Sequence, residues 1–378
     1  MSQGVRPTPC SVYSAEQIKK SLPSHASLLE QLATSFVFLA SRAIALGPVS
    51  HINFEPHQDA DCCIKSAYVT TGSTWVVKIA AGWYKNPTER GLPSSVGLMM
   101  VFCLKTGVPK AILLDGGYLT DLRTALAACV TARGLAPPRA RAIGILGAGT
   151  IPRLLIETLA AVGLATKVVH IWARRTEAAT ALAELACNDH GWDARSCSSI
   201  GSLVLDCDVI FTCTPSRKPL LLSSHVAARR DAVGRSSPAS FPGLHIHALG
   251  SDQAGKQEVE AAVLGMADLV VPDDPAQCFS YGECAHAKRL GVLDESASSV
   301  VALGKLLSPS HVALQRGPDT SPADGSSDRR FTFADSTGVG ASDWAIAEAA
   351  YRGLASDAEP ALPLRHVWKR SLRLGSKL

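Results

Sequence analysis

Residues 141–157, RAIGILGAGTIPRLLIE, constrain the fold more than any other stretch of the chain. Residues 142–146 form a short apolar run without a charge. Gly147-Ala148-Gly149 follows, and a helix-forming segment over 153–159 comes at once. A buried strand that turns into a helix through closely spaced glycines is the arrangement that binds dinucleotides. Gly147 permits the sharp turn, and Gly149 lets the backbone approach a pyrophosphate. Thr150 and Ile151 then open a helix whose free N–H groups and dipole favour negative charge. The third position of this fingerprint is Pro152 instead of Gly or Ala. Proline is tolerated there because first-turn N–H groups have no intrahelical acceptor to lose.

Strand–helix alternation continues from this point. Strands are expected over 167–172, 208–213, 244–249 and 268–271, with a helix over 177–189, which argues for a parallel, doubly wound sheet. Upstream the pattern differs. A capping box, Ser14 with Gln17, opens a short helix over 14–22, and a longer amphipathic helix covers 27–45. Strands are expected over 74–83, 97–104 and 110–115, the last two joined by turn residues Thr106-Gly107-Val108-Pro109 into a hairpin. A helix over 120–133, capped by Thr120, closes at Gly134 and Pro137-Pro138. Two Ser/Pro/Gly-rich stretches, 235–243 and 308–330, read as surface insertions, and 331–351 is expected to return to the first domain. The fold class is therefore α/β: a doubly wound domain over 137–330, and an α/β substrate-binding domain over 1–136, rejoined by 331–378.

A chain of 378 residues has room for about two such domains. With 47% hydrophobic and 19% charged residues it reads as soluble and globular. A net charge of +4, with no basic face interleaved with aromatics, argues against nucleic acid. No apolar run is long enough for a membrane span, and MSQGVRPTPC holds no signal core. Eleven cysteines without a Cys-x-x-Cys read as reduced thiols of an intracellular protein, with no metal; Cys103, Cys129, Cys207 and Cys213 fall in apolar runs. Ser376-Lys377-Leu378, after a basic segment, reads as an address for the peroxisomal import receptor, with the cytoplasm as the other location.

Four places carry chemistry. Lys78 sits amid an apolar strand, and a buried lone cation needs a partner; this is a structural ion pair or, preferably, a grip on an anionic substrate. Arg123, placed in the first turn of its helix, opposes the dipole. It suits a substrate carboxylate held at two points, or else an exposed pairing with Asp121 or Asp115. Asp252 follows the strand at 244–249 and a Gly250-Ser251 turn, at the carboxyl edge where such sheets bind ligands. It either handles a proton beside a reacting amine or caps a helix over 253–262. After the second strand, IWARRT offers no acid for a ribose hydroxyl but two guanidiniums, Arg174 and Arg175. These suit a 2′-phosphate, so NADP(H) is favoured over NAD(H), unless the arginines are only solvated.

Together these segments resemble the ornithine cyclodeaminase/mu-crystallin family, from Lys78 to Tyr351. The most specific piece is TG-x-P at 106–109 with LLDGGYLTDLRTA, ending at Ala125. Asn86 with Gly91-Leu92-Pro93, the Gly-Ala-Gly turn, IWARRT, TCTPS at 212–216, Gly250-Ser251-Asp252 with Glu258, Gly282-Glu283, and Asp335-Ser336-Thr337-Gly338 with Asp343 are also similar. The resemblance implies a Rossmann domain plus a substrate domain that pairs in a homodimer. It implies that Lys78 and Arg123 clamp an amino-acid carboxylate, with His57 and Asn86 beside the substrate, and that Asp252 faces the amine or imine nitrogen. It places Thr176, Thr214, Pro215 and Thr120 with the glycine turn and the arginines around the cofactor. The chain departs from the family pattern at Pro56-His57, where Pro-Arg is common, at Ala334, where phenylalanine is usual, and at Pro152. The expected function is an NAD(P)-dependent enzyme acting at the Cα–N bond of a small amino acid or cyclic ketimine carboxylate, by ketimine reduction, amino-acid dehydrogenation or ornithine cyclodeamination. The alternative is an NADPH-dependent small-molecule binding protein with little turnover.

Overall fold

A computed structural model describes residues 10–54, 60–164, 166–234, 243–308 and 330–356. His57 and the Ser376-Lys377-Leu378 tripeptide lie outside the described residues, as do most of the two stretches read as insertions. The chain forms two compact units, residues 1–123 with 340–378, and residues 124–339.

In the first unit, strands Thr74–Trp83, Ser95–Cys103 and Pro109–Leu114 stand where the sequence places them. They form an antiparallel ladder, extended on one side by Ala60–Val69 and Ile44–Leu46 and on the other by the parallel strand Ser11–Ser14. The ten-residue strand Ala60–Val69 was not expected, because Asp61, Cys62, Cys63, Lys65 and Ser66 break its apolar alternation. The helix expected over 27–45 is His25–Ala40; Arg42 at φ 60° turns the chain into strand Ile44–Leu46. Ser14 and Gln17 form the reciprocal cap expected of them on Ala15–Ser21.

Register fixes what each face of this sheet carries. Lys65, Lys78, Met99 and Leu113 lie side by side across four strands and are all buried, on the side where helix Gly340–Ser356 packs. One residue along, Ser66, Val77, Met100 and Ile112 form a row on the opposite face, and all four are half-buried.

The second unit is built on a seven-stranded, wholly parallel sheet. Its order is Asp193–Ser196, Val168–Trp172, Ile143–Leu146, Val209–Thr212, Leu244–Ala248, Phe331–Asp335, Leu269–Pro272. Chain direction across the sheet reverses between Ile143–Leu146 and Val209–Thr212, and that switch point opens a crevice at the carboxyl ends. Strand Phe331–Asp335 inserts into this sheet between two others. The expectation that 331–351 returns to the first domain therefore needs correction: the return begins at Gly340. The strand is buried at every residue, which suits the centre of a parallel sheet better than an edge.

None of the eleven cysteines is disulfide-bonded. Among the described residues no helix is long and apolar enough to cross a membrane, and no His, Cys, Asp and Glu cluster is arranged for a metal.

Candidate active site

The glycine turn of the second unit has the geometry its sequence requires. Gly147 has φ 126°, and a Cβ there would stand 2.5 Å from the Cys213 carbonyl oxygen, so only glycine fits. Its N–H donates to the Trp172 carbonyl at 2.8 Å. Gly149 caps helix Thr150–Val162, and the space beside its Cα is open, as a backbone cradling a pyrophosphate needs. Pro152 is buried in the first turn, where its missing N–H costs nothing. Arg174, Arg175 and Thr176 are exposed at the end of strand Val168–Trp172, with Arg175 the N-cap residue of helix Thr176–His190. An open, cation-flanked glycine turn of this kind fits a dinucleotide.

Two buried glutamates hold the neighbouring loops. Glu258 Oε1 accepts from the Thr214 N–H at 2.6 Å and its hydroxyl at 2.7 Å, while Oε2 accepts from Thr212 Oγ1 and the Gly250 N–H, both at 2.7 Å. One side chain thus ties the ends of two adjacent strands. Gly250 cannot carry a Cβ, which would run into the Thr214 carbonyl and the Glu258 carboxyl. Glu283 Oε1 accepts from Ser251 Oγ at 2.5 Å and from the Glu258 N–H at 2.6 Å. Burial pushes Glu283 up to about 8 and Asp335 up to about 7. Each leaves one carboxyl oxygen without a hydrogen-bonding partner, which a neutral carboxyl tolerates better than a carboxylate. The family resemblance includes these acids but gives them no role; four donors converging on one buried glutamate become visible only in three dimensions.

Asp252 follows this turn as expected, but no helix covers 253–262. The chain instead runs into strand Gln257–Val259, so the helix-cap alternative falls. The carboxylate is half exposed and pairs with buried Lys256 at 2.7 Å. Lys256, unnoticed in the sequence, gives the Asp252 carboxylate a fixed partner at the edge of the sheet.

In the first unit, Lys78 and Arg123 converge on one carboxylate. Asp343 Oδ2 lies 3.1 Å from Lys78 Nζ, and Oδ1 lies 3.0 Å from Arg123 Nε. These are ion pairs and not well-aligned hydrogen bonds, since neither carboxylate oxygen nor the Arg123 Nε is in hydrogen-bonding geometry. Burial alone raises the Asp343 carboxyl, but Lys78, Arg123 and Lys65 outweigh it and hold the group below its ordinary range. Burial pulls the Lys78 ammonium down, with Asp343 opposing. The buried ion pair weighed for Lys78 is therefore present, its partner being a residue near the chain's far end.

Arg123 corrects two expectations. Its helix is Tyr118–Leu135, so Arg123 is the sixth residue and clear of the first-turn dipole. It is buried and pairs with Asp343, not exposed beside Asp121 or Asp115. Thr120 is the helix's third residue and not its cap; Asp115 Oδ2 accepts from the Leu119 N–H at 2.7 Å and does that work. Burial pushes Asp121 up to about 7, with Arg123 pulling the other way. Asn86 donates to the Pro93 carbonyl at 3.2 Å and accepts from Arg90 at 3.3 Å, so its amide shapes the Gly91-Leu92-Pro93 turn.

The chain is similar to known proteins over most of its length. The sequence model of the ornithine cyclodeaminase/mu-crystallin family matches residues 12–357. An uncharacterized cyclodeaminase of Sinorhizobium fredii is 31% identical over 310 residues, 82% of this chain and 85% of that protein. An iminosuccinate reductase of Paracoccus denitrificans is 30% identical over 309 residues, 80% of this chain and 86% of its own. An archaeal alanine dehydrogenase dimer with bound NAD superposes with a TM-score of 0.75 at 26% identity, covering 93% of this chain and 98% of that one.

Proposed function

The chain belongs to the ornithine cyclodeaminase/mu-crystallin family, and we propose that it is an NAD(P)-dependent oxidoreductase interconverting an imine carboxylate and its amino acid at the Cα–N bond. The observation that carries this reading is the buried pair Lys78 and Arg123 meeting on one carboxylate. A site that holds an aspartate side chain in this way has the charge and spacing for a substrate carboxylate. The Gly147–Gly149 turn and the start of helix Thr150–Val162 would hold the pyrophosphate of a nicotinamide dinucleotide, which would supply hydride chemistry at Cα. Lys78 and Arg123 orient the substrate carboxylate. Asp252, paired with Lys256, stabilises the iminium or relays the proton that nitrogen takes up. Glu258 and Glu283 fix the loops that carry Thr214 and Asp252.

Imine reduction is favoured over cyclodeamination, in line with the iminosuccinate reductase and alanine dehydrogenase among its relatives. NADPH is favoured over NADH because exposed Arg174 and Arg175, and no acid, follow the second strand. A homodimer is supported by half-buried Val77, Met100 and Ile112 on the face of the first sheet opposite the Lys78 row, and import into the peroxisome by Ser376-Lys377-Leu378.

The test mixes the protein with NADPH or NADH and either a 2-oxo acid with ammonium or a cyclic ketimine carboxylate, and follows nucleotide absorbance. Consumption is expected with at least one imine. No consumption across the panel, with nucleotide binding intact, overturns the reading in favour of a binding protein.

A further inference from the structure

The loop that carries Asp252 is built around two opposite charges with unequal access to water. Gln253, Ala254, Gly255 and Lys256 form a turn in which the Lys256 N–H donates to the Gln253 carbonyl at 3.1 Å. Gly255, at φ 85°, supplies the left-handed third position that a type II turn requires. The turn brings side chain 256 back to side chain 252, and Lys256 Nζ donates to Asp252 Oδ1 at 2.7 Å. The lysine side chain is 5% exposed and the aspartate 52%. Lysine ordinarily buries its stem and keeps its charged head in water. Here the ammonium is withdrawn and the short carboxylate is the half-exposed member of the pair.

The other ionisable groups around the turn have their own engagements. Glu258 accepts from Thr212, Thr214 and Gly250, and Glu283 from Ser251 and the Glu258 N–H. The His286 ring meets the Lys256 backbone carbonyl, 2.9 Å from Nε2. The Arg217 guanidinium passes over Gly255, where a Cβ would stand 3.1 Å from it.

We propose that Lys256 is the proton donor that recharges Asp252, so that the pair delivers to the imine nitrogen the proton that reduction consumes. A carboxylate has no proton to give. Transfer of one proton from Lys256 Nζ to Asp252 Oδ1 turns the ion pair into a neutral amine and a neutral carboxyl, so no net charge is created at the buried end. The carboxyl then protonates the lone pair of the imine nitrogen, and the carboxylate left behind faces the iminium it has made. Hydride from the nucleotide forms the Cα–H bond as the C=N π pair moves to nitrogen, and the Lys256 amine regains a proton from water. Stabilising the iminium and relaying the proton are then successive tasks of one carboxylate. This deepens the imine-reductase reading and rests on it.

Arginine separates this role from a structural pairing, because a guanidinium keeps the charge and the hydrogen bonds but does not release a proton. Wild type, Lys256→Arg and Lys256→Ala are compared with NADPH and NADH and a cyclic ketimine carboxylate, which needs no added ammonium. Both variants are expected to lose about tenfold or more in kcat at pH 8, with KM and the nucleotide dissociation constants unchanged. The deficit is expected to shrink as pH falls towards the ordinary carboxyl range, where water protonates Asp252 directly. Methylammonium is expected to restore Lys256→Ala and not Lys256→Arg. A Lys256→Arg variant as fast as wild type at pH 8, or a deficit equal at every pH and untouched by methylammonium, overturns the proposal and leaves the reductase reading standing. A wild type that consumes no imine overturns that reading and the proposal with it. Should Lys256→Ala fail to fold, Lys256→Met takes its place in every measurement.

Discussion

A lysine in the middle of an apolar strand must find a carboxylate or give up its charge. Lys78 finds Asp343, which it shares with Arg123. All three are nearly inaccessible to water, so removing the shared carboxylate leaves two buried cations uncompensated. Asp343→Ala is accordingly expected to destabilise the chain by about 3–5 kcal/mol, read as a shift in denaturant midpoint at constant m-value. A loss below 1 kcal/mol would mean that the pair is solvated. Arg174 and Arg175 are the opposite case, exposed guanidiniums whose side chains make no hydrogen bond or ion pair among the described residues. Arg174→Ala with Arg175→Ala is expected to weaken NADPH relative to NADH by about tenfold or more and to leave the melting temperature unchanged. An unaltered NADPH/NADH ratio of dissociation constants removes the assignment.

The loops at the carboxyl edge of the parallel sheet depend on acids buried behind them. Glu283, at the start of helix Glu283–Arg289, and Asp335, at the end of strand Phe331–Asp335, have folded-state affinities for protons raised to about 8 and about 7. Unfolding lets both ionise at ordinary carboxyl values, so the unfolded chain binds fewer protons than the folded one between those limits. Stability from these groups is complete below the ordinary carboxyl range and falls as pH rises towards 8. Buried His245 and His247, both pulled down by burial, act in the other direction only below the ordinary histidine value of about 6.5. A thermal scan is therefore expected to show a lower melting temperature at pH 8.5 than at pH 6.5. Glu283→Gln should shrink that difference by about 3 °C or more, and a profile parallel to wild type would place the titration elsewhere.

For the molecule as a whole, the first sheet has two faces of different fate. One lies under helix Gly340–Ser356; the other presents Val77, Met100 and Ile112, with Trp75 stacked on Phe102 at 4.1 Å between ring centres. Apolar side chains grouped on one sheet face in this way suit the proposed dimer interface. The protein is expected to elute as a dimer in size-exclusion chromatography with light scattering, and Met100→Glu to shift it to monomer while the far-ultraviolet spectrum stays the same. A monomeric wild type at micromolar concentration overturns the dimer.

What the sequence alone determines here is local. Residues 142–159 specify a strand, a glycine turn and a helix because each signal lies within a few neighbours: apolar run, φ > 0 at Gly147, helix-forming residues. The hairpin through 106–109 and the cap at Ser14 are legible for the same reason, and the family resemblance rests on such segments. Strand Ala60–Val69 is not legible, since its polar residues gain a partner only when the ladder forms. Nor is the insertion of Phe331–Asp335 into the parallel sheet, the tie from Glu258 to Thr214 and Gly250, or the meeting of Lys78 and Arg123 at Asp343. Strand order and buried charge pairing are settled by contacts between residues far apart in the chain, whose free energy appears only once the core that excludes water has closed.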